Sequence, residues 1–120
     1  MVNAVPEMQP GQIVLSKFPF SDMAVSKWRP GLVISSADYH AVTGQVWLLM
    51  ITRAKASAWP NDIMIEEYKS AGLEQPCLVR MKLYTLDYKL LGKTIGQVTP
   101  RSLAQARRQC AEIIGADNFG

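Results

Sequence analysis

Short runs of aliphatic and β-branched residues, each bounded by proline, glycine or polar residues, recur along the chain. Such runs are typical of β-strands. The run over residues 46–51 contains no polar residue, and alternation along it gives each face of the strand an apolar set. The two sets are Trp47, Leu49 and Ile51, and Val46, Leu48 and Met50. A strand that is apolar on both faces is central in its sheet or is covered by a partner chain. Six strands are predicted in all, over residues 12–17, 32–36, 45–53, 62–65, 76–83 and 93–98.

The segments between these strands carry turn signals. Pro19 begins a predicted loop that extends to Lys27, because proline has no N–H to give to a neighbouring strand. Gly72 is expected to end one or two helical turns over residues 66–71. The other predicted connections are a turn at 38–44, a loop at 54–61 and a turn or helix cap at 85–87.

One amphipathic helix is predicted, over residues 101–114. Thr99 is a good N-cap, Pro100 suits the first helical position and Gly115 ends the pattern. The predicted apolar face consists of Leu103, Ala106, Arg107, Cys110, Ile113 and Ile114. Strands followed by a single terminal helix indicate a mostly β fold, a small curved sheet or barrel with the helix over one opening or face. Residues 1–10 are expected to be a loose lead-in, and residues 11–115 one domain.

The composition agrees with one globular domain. The chain has 120 residues, of which 48% are hydrophobic and 19% are charged, and this is enough apolar material for a core. The net charge of +3 and the pI of about 9.0 permit a polyanionic partner without requiring one. No signal peptide and no membrane-spanning run is recognisable, so the expected location is the cytoplasm, with no membrane partner.

Histidine and cysteine are too sparse for several kinds of site. His40 is the only histidine, which excludes a two-histidine ribonuclease mechanism, and we expect it to be solvated in its turn. Cys77 and Cys110 are expected to be reduced, small apolar groups. One histidine and two separated cysteines do not form a zinc ligand set, so no metal and no cofactor are expected.

The order and spacing of several short motifs resemble those of PemK/MazF-family toxins. The first half of the resemblance lies in Gly11-Gln12-Ile13-Val14, Phe18-Pro19-Phe20-Ser21-Asp22, Lys27-Trp28-Arg29-Pro30-Gly31-Leu32-Val33-Ile34-Ser35 and Ile51-Thr52-Arg53. The second half lies in Asp62-Ile63-Met64-Ile65, Ala71-Gly72-Leu73, Pro76-Cys77-Leu78-Val79-Arg80, Lys82-Leu83-Tyr84-Thr85-Leu86-Asp87 and Ile95-Gly96. The similarity covers roughly residues 11–114, which is most of the chain.

This resemblance implies a fold, an activity and a set of partners. The implied fold is an SH3-like small β-barrel of the PemK, MazF and CcdB type, assembled as a homodimer. The implied activity is that of the toxin of a type II toxin-antitoxin system, an endoribonuclease that cuts single-stranded mRNA at specific sequences by 2′-hydroxyl attack, without a metal. The implied partners are a cognate antitoxin protein, single-stranded RNA, and operator DNA that is bound only by the toxin-antitoxin complex.

Cleavage of this kind needs a group that removes the 2′-hydroxyl proton, a cation that stabilises the phosphorane and a donor for the leaving 5′-oxygen. The resemblance places the family's key arginine at Arg29 and its threonine at Thr52. A guanidinium suits the charge-stabilising role because its planar fork pairs two phosphate oxygens. Without the resemblance, Arg29 would be interpreted as a surface arginine stacked on Trp28, and Thr52 as an ordinary strand threonine.

Arg80 completes the predicted catalytic set, and alternation puts Lys82 on the same face of the strand. Some relatives carry a carboxylate at the position of Lys82. Since this chain departs from that pattern, a required carboxylate would have to come from Asp22 or Asp87.

The predicted substrate-binding residues lie mainly in or beside the two loops. Lysines there are expected to meet the RNA backbone, and Phe20 and Trp59 are candidates for stacking on bases. The predicted binding residues are Lys17, Phe20, Ser21, Asp22, Lys27, Lys55 and Lys82.

Two other hypotheses stay open. The chain could be a non-catalytic member of the same barrel class, such as a binding module or a gyrase poison. It could also be a degenerate toxin that binds RNA or antitoxin without cutting, an alternative that the Lys82 departure supports. The combination of Arg29-Pro30 with Thr52 favours the nuclease, because a gyrase poison of this fold acts largely through its terminal helix.

Overall fold

An antiparallel sheet and a C-terminal helix make up most of the structure, a computed structural model that describes residues 8–17, 27–55 and 58–115. The strands are β1 (Gln12–Lys17), β2 (Trp28–Val33), β3 (Gln45–Arg53), β4 (Ile63–Ile65), β5 (Cys77–Asp87) and β6 (Thr94–Gln97). The helices are α1 (Ala37–Thr43) and α2 (Pro100–Ile113), and a 3-10 turn spans Tyr88–Leu90. The predicted mostly β fold with a C-terminal helix is confirmed. No helix within the described ranges has the length and apolar character needed to cross a bilayer.

The sheet curls so that its two outer ends approach each other. The strand order is β4-β5-β3-β2-β1-β6, and all neighbouring strands are antiparallel. A Cβ atom on Gly72, which follows β4, would overlap the carbonyl oxygen of Ile95 in β6. A Cβ on Gly96 would in turn overlap the carbonyl oxygen of Ala71. Two glycines therefore allow the backbones to meet, and the sheet forms a half-barrel.

The central strand β3 has apolar residues on both faces, as predicted. Leu49 and Ile51 belong to one core cluster, whereas Val46 and Leu48 belong to the other. Both clusters consist of this chain's own residues, so a partner chain is not needed to cover β3. Trp47 is the exception, because 40% of its surface remains exposed.

Helix α2 packs on the first core cluster and has the predicted N-terminus. The Thr99 side chain accepts a hydrogen bond from the Ser102 N–H, and Pro100 occupies the first turn. Ala106 is fully buried in the cluster. The predicted apolar face is too long at its C-terminal end, because Ile113 and Ile114 are 57% and 77% exposed. The sheet does not extend far enough to cover the last turn.

The segment predicted to be a turn at 38–44 is helix α1. The Ser36 side chain accepts from the Tyr39 N–H at its start, and Gly44 ends it in the left-handed region at φ 72°. His40 is fully buried instead of solvated. Its Nδ1 lies 2.9 Å from the Met8 carbonyl oxygen and its Nε2 lies 2.6 Å from Ser35 Oγ. Both ring nitrogens have hydrogen-bond partners, and these offset the free-energy cost of burying the imidazole.

Other elements also differ from the prediction. Strand β2 begins at Trp28, four residues earlier than expected. Residues 28–30 pair with β1 alone, so Pro30, which has no N–H, needs no hydrogen-bond partner on its other side. Residues 66–71 form hydrogen-bonded turns without a helix. Strand β5 continues to Asp87, whose carboxylate then caps the 3-10 turn by accepting from the Lys89 N–H.

Candidate active site

An open cleft of about 920 Å³ lies where the start of β2, the end of β3 and the start of β5 meet. We call it the Arg29 cleft. The segment 72–75 and strand β6 complete its wall. Its polar and aromatic lining residues are Trp28, Arg29, Thr52, Arg53, Lys55, Glu74 and Gln75. Three cations and one carboxylate among these residues give the cleft a net positive charge, which suits a phosphodiester.

The strand register brings Arg29 to Thr52. In the β2–β3 pair, Gly31 lies opposite Met50. Arg29 lies two residues before Gly31 and Thr52 two residues after Met50, so both lie just beyond the paired part of these antiparallel strands, at the same end of the β2–β3 pair. Pro30 restricts the backbone of Arg29 to extended conformations, so the corner that carries the guanidinium is stiff.

A buried hydrogen bond lies at the strand segment that carries Arg29. Ser16 in β1 is the partner of Arg29 in the β1–β2 register. Its hydroxyl is fully buried and lies 3.2 Å from the Tyr84 hydroxyl. Burial raises the pKa of Tyr84 to about 12, so the phenol is neutral at physiological pH. A Cβ atom on Gly31 would overlap the same Tyr84 hydroxyl, which explains the glycine after Pro30.

Arg80 does not line the Arg29 cleft, although it lies on the same face of the sheet. It pairs with Met50 in the β3–β5 register, two residues before Thr52. Its side chain is 8% exposed and donates two hydrogen bonds to the Asp62 carboxylate, at 3.2 and 2.9 Å. These hydrogen bonds hold the pKa of Asp62 below its usual range. The guanidinium also lies 4.9 Å from the centroid of the Trp59 ring.

The predicted lysines are distributed around the cleft. Lys55 lines it directly. Lys17 Nζ lies 5.2 Å from the ring centroid of Trp28, which itself lines the cleft. Lys82 Nζ lies 6.0 Å from the Trp59 ring, beside Arg80. Lys27 is exposed next to Trp28. The predicted binding residues Phe20, Ser21 and Asp22 lie outside the described residues.

Sequence reasoning missed Glu74, the one carboxylate among the described residues of the cleft lining. It is exposed in the segment after Gly72, where no strand or helix pattern signals its position. Asp87, one of the two candidate carboxylates in the sequence, instead caps the 3-10 turn and is not a cleft residue.

Cys77 is a core group at the base of the cleft. Its burial raises the thiol pKa, and the charge of Arg53 offsets only part of this effect. A protonated, buried thiol is a poor nucleophile. Across residues 8–17, 27–55 and 58–115, no three His, Cys, Asp or Glu side chains come together in a way that could hold a metal ion.

Comparison with known proteins gives one family match and a set of similar folds. A family model described as the PemK-like, MazF-like toxin of type II toxin-antitoxin systems matches residues 9–114. No curated protein sequence matches the chain.

Three of the solved structures illustrate the fold similarity. MazF from Deinococcus radiodurans superposes with a TM-score of 0.71 at 21% identity, over 90% of this chain and 96% of that one. A mycobacterial endoribonuclease in complex with its cognate antitoxin gives 0.68 at 20% identity, over 90% and 93%. The Mycobacterium tuberculosis toxin MazF-mt6 gives 0.69 at 17% identity, over 87% and 96%. At such identities the likeness shows a shared fold.

Proposed function

The chain belongs to the family of PemK-like, MazF-like toxins of type II toxin-antitoxin systems, and from this premise we propose that it is a sequence-specific endoribonuclease that cuts single-stranded mRNA without a metal ion. The observation that carries the proposal is that Arg29 and Thr52 line one positively charged cleft. Cleavage of cellular mRNA by such an enzyme would inhibit growth.

The proposed reaction is an internal transesterification. The 2′-hydroxyl oxygen attacks the adjacent phosphorus, its proton passes to a base, and the bond from phosphorus to the 5′-oxygen breaks. The leaving 5′-oxygen takes a proton from an acid, and the products are a 2′,3′-cyclic phosphate and a 5′-hydroxyl. The enzyme must supply proton transfer and stabilisation of the negative charge on the phosphorane oxygens.

Arg29 and Thr52 are the residues proposed to act on the phosphate. The planar guanidinium of Arg29 is suited to pair two non-bridging oxygens on the phosphorane, and its rigid backbone reduces the cost of orienting it. The Thr52 hydroxyl is suited to donate to a phosphate oxygen or to orient the 2′-hydroxyl. Glu74 is a candidate for the base because its carboxylate faces the same cleft.

The catalytic role of Arg80 stays a prediction. Its guanidinium fork is engaged by Asp62 and its side chain is largely buried. These contacts favour a role in holding the segment that contains Trp59 and Asp62 against the sheet. Lys17, Lys55 and Lys82 are proposed to contact the RNA backbone, and the same role remains a prediction for Lys27, Phe20, Ser21 and Asp22.

The proposed protein partners are a cognate antitoxin and a second copy of this chain. Structurally similar proteins have been crystallised as MazE-MazF and as an endoribonuclease with its cognate antitoxin. Exposed apolar side chains at the end of α2 and on the sheet, Ile113, Ile114, Leu83 and Trp47, support the existence of a protein-binding surface. Operator DNA is proposed to be bound by the toxin-antitoxin complex only. Sedimentation that finds only monomer at micromolar concentration would contradict the homodimer.

The proposed activity is tested by incubating the purified, antitoxin-free protein with a long single-stranded RNA in excess EDTA. We expect cleavage that leaves 2′,3′-cyclic phosphate ends, and we expect Arg29→Ala to abolish it. Arg108→Ala is the matched control, because Arg108 is an exposed arginine on α2 and is not a cleft residue. No cleavage by a folded wild-type protein would favour the non-catalytic alternative.

A further inference from the structure

Two cations from β5 approach the ring of Trp59. The Arg80 guanidinium lies 4.9 Å and the Lys82 ammonium 6.0 Å from the ring centroid. The residue nevertheless keeps 42% of its surface exposed. An exposed aromatic ring beside a fixed cation is the arrangement on which single-stranded nucleic acids stack a base while their phosphate meets the charge.

The ring is held in place by its own segment of the chain. The Trp59 N–H donates to Asp62 Oδ2 at 2.9 Å, and the same carboxylate accepts both hydrogen bonds from Arg80. Asn61 adopts a left-handed backbone at φ 69°, and its side-chain amide donates to Gln109 of α2 at 2.9 Å. A ring that is already immobilised loses little conformational freedom when a ligand binds.

The Trp59 ring also lies on the side of the sheet that carries Thr52. Arg80 is opposite Met50 and therefore projects from the same face of the sheet as Thr52, and Lys82, which lies in the register shift after Arg80, approaches the same Trp59 ring. Thr52 lies two residues beyond Met50, a separation of about 7 Å along the strand. The Trp59 ring therefore lies beside Arg80, on the strand that neighbours the Thr52 end of β3.

We propose that Trp59 is a base-stacking subsite for a nucleotide that flanks the scissile phosphate. The base lies on the open part of the ring, the adjoining phosphate meets Lys82, and Arg80 is the positioning residue that holds the ring through Asp62. This inference rests on the proposed nuclease function. It adds a binding site for a base outside the two nucleotides that the scissile phosphate joins.

The test compares two single-stranded probes of equal length and charge. The first is 2′-O-methyl RNA of mixed sequence, whose blocked 2′-oxygen prevents cleavage. The second is an abasic strand, which keeps the phosphates and lacks the bases. Trp59→Leu is the test variant, and Tyr39→Leu is the matched control because Tyr39 is an aromatic residue of α1 that is 39% exposed and does not line the Arg29 cleft.

We expect Trp59→Leu to weaken binding of the 2′-O-methyl RNA by about 5- to 150-fold, the effect of losing one stacked base, and to leave binding of the abasic strand unchanged. Equal affinities of the two variants for the RNA would overturn the proposal. An equal loss on both probes would also overturn it, because Trp59 would then act only by holding its segment.

A wild-type protein that neither binds nor cuts single-stranded RNA would remove the nuclease function itself, whereas cutting that Trp59→Leu does not affect would remove the subsite alone. If Trp59→Leu does not fold, Trp59→Phe carries the test. The difference in emission between wild type and Trp59→Phe isolates the Trp59 fluorescence, which the RNA should quench and the abasic strand should not.

Discussion

The hydroxyl of Tyr84 in β5 lies 3.2 Å from the hydroxyl of Ser16 in β1, although β3 and β2 separate the two strands in the sheet. Both side chains are buried, and Ser16 is the direct strand partner of Arg29. The curl of the sheet makes this contact possible. It supports the strand segment that carries the proposed catalytic arginine.

Gly31 and Tyr84 should be energetically coupled. Gly31→Ala is expected to destabilise the protein, because the new Cβ would overlap the buried Tyr84 hydroxyl. Tyr84→Phe removes that hydroxyl and leaves the Ser16 hydroxyl without its partner, at a cost of about 1–3 kcal/mol. The double variant should therefore be more stable than the sum of the two losses predicts. Urea unfolding of all four proteins measures the coupling, and strictly additive losses would show that the two residues do not interact.

Arg29→Lys should nearly abolish cleavage while the protein stays folded. Lysine keeps the positive charge but lacks the planar fork that pairs two phosphate oxygens. We expect the cleavage rate to fall on the order of 10²-fold, as for loss of one preorganised donor in a charged transition state. Initial rates on a long RNA measure the effect, and the urea midpoint confirms folding. Arg108→Lys is the control, and full activity of Arg29→Lys would show that charge alone is sufficient.

Elements that depend on local signals could be predicted from the sequence. The apolar run 46–51 identifies β3 as central, and Thr99 with Pro100 marks the start of α2. Helix α1 could not be predicted in this way, because it has only 7 residues and no apolar periodicity. Its fold depends on His40, whose partner Met8 is 32 residues away.

The same distinction applies to the candidate site: residues in local motifs could be predicted, whereas residues placed by distant contacts could not. Arg29 and Thr52 could be proposed from short motifs, and their common cleft follows from the adjacency of strands β2 and β3 in the sheet. Glu74 reaches the cleft through an irregular segment that begins at Gly72, where close approach to Ile95 decides the path. Likewise, nothing in the sequence near Arg80 identifies Asp62, 18 residues earlier, as its partner. Contacts of this kind depend on tertiary geometry, so pattern and propensity alone do not reveal them.

The ion pair between Asp62 and Arg80 should make stability depend on pH. The folded-state pKa of Asp62 is lowered, chiefly by its hydrogen bonds to Arg80. The pair therefore stabilises the fold fully above the unfolded-state pKa of about 3.9, and this stabilisation is lost as the pH falls through the lower folded-state value. Asp62→Asn should be less stable than wild type at pH 6, and the difference should shrink below about pH 4.

Urea unfolding at a series of pH values measures that difference. Asp38→Asn is a suitable control because Asp38 is exposed in the first turn of α1. A difference between wild type and Asp62→Asn that stays constant down to pH 2 would show that the carboxylate charge does not contribute.

Glu74 should contribute to the chemical step if its carboxylate removes the 2′-hydroxyl proton. It is the only carboxylate among the cleft residues that the structure describes, and it lines the same cleft as Arg29 and Thr52. Glu74→Gln keeps the shape of the side chain and removes its basicity, so kcat should fall by about 10²–10⁴-fold with little change in KM. Glu112→Gln on the exposed face of α2 is the matched control. A variant that retains the wild-type kcat would exclude Glu74 as the base and leave the proton transfer to a residue beyond the described lining of the cleft.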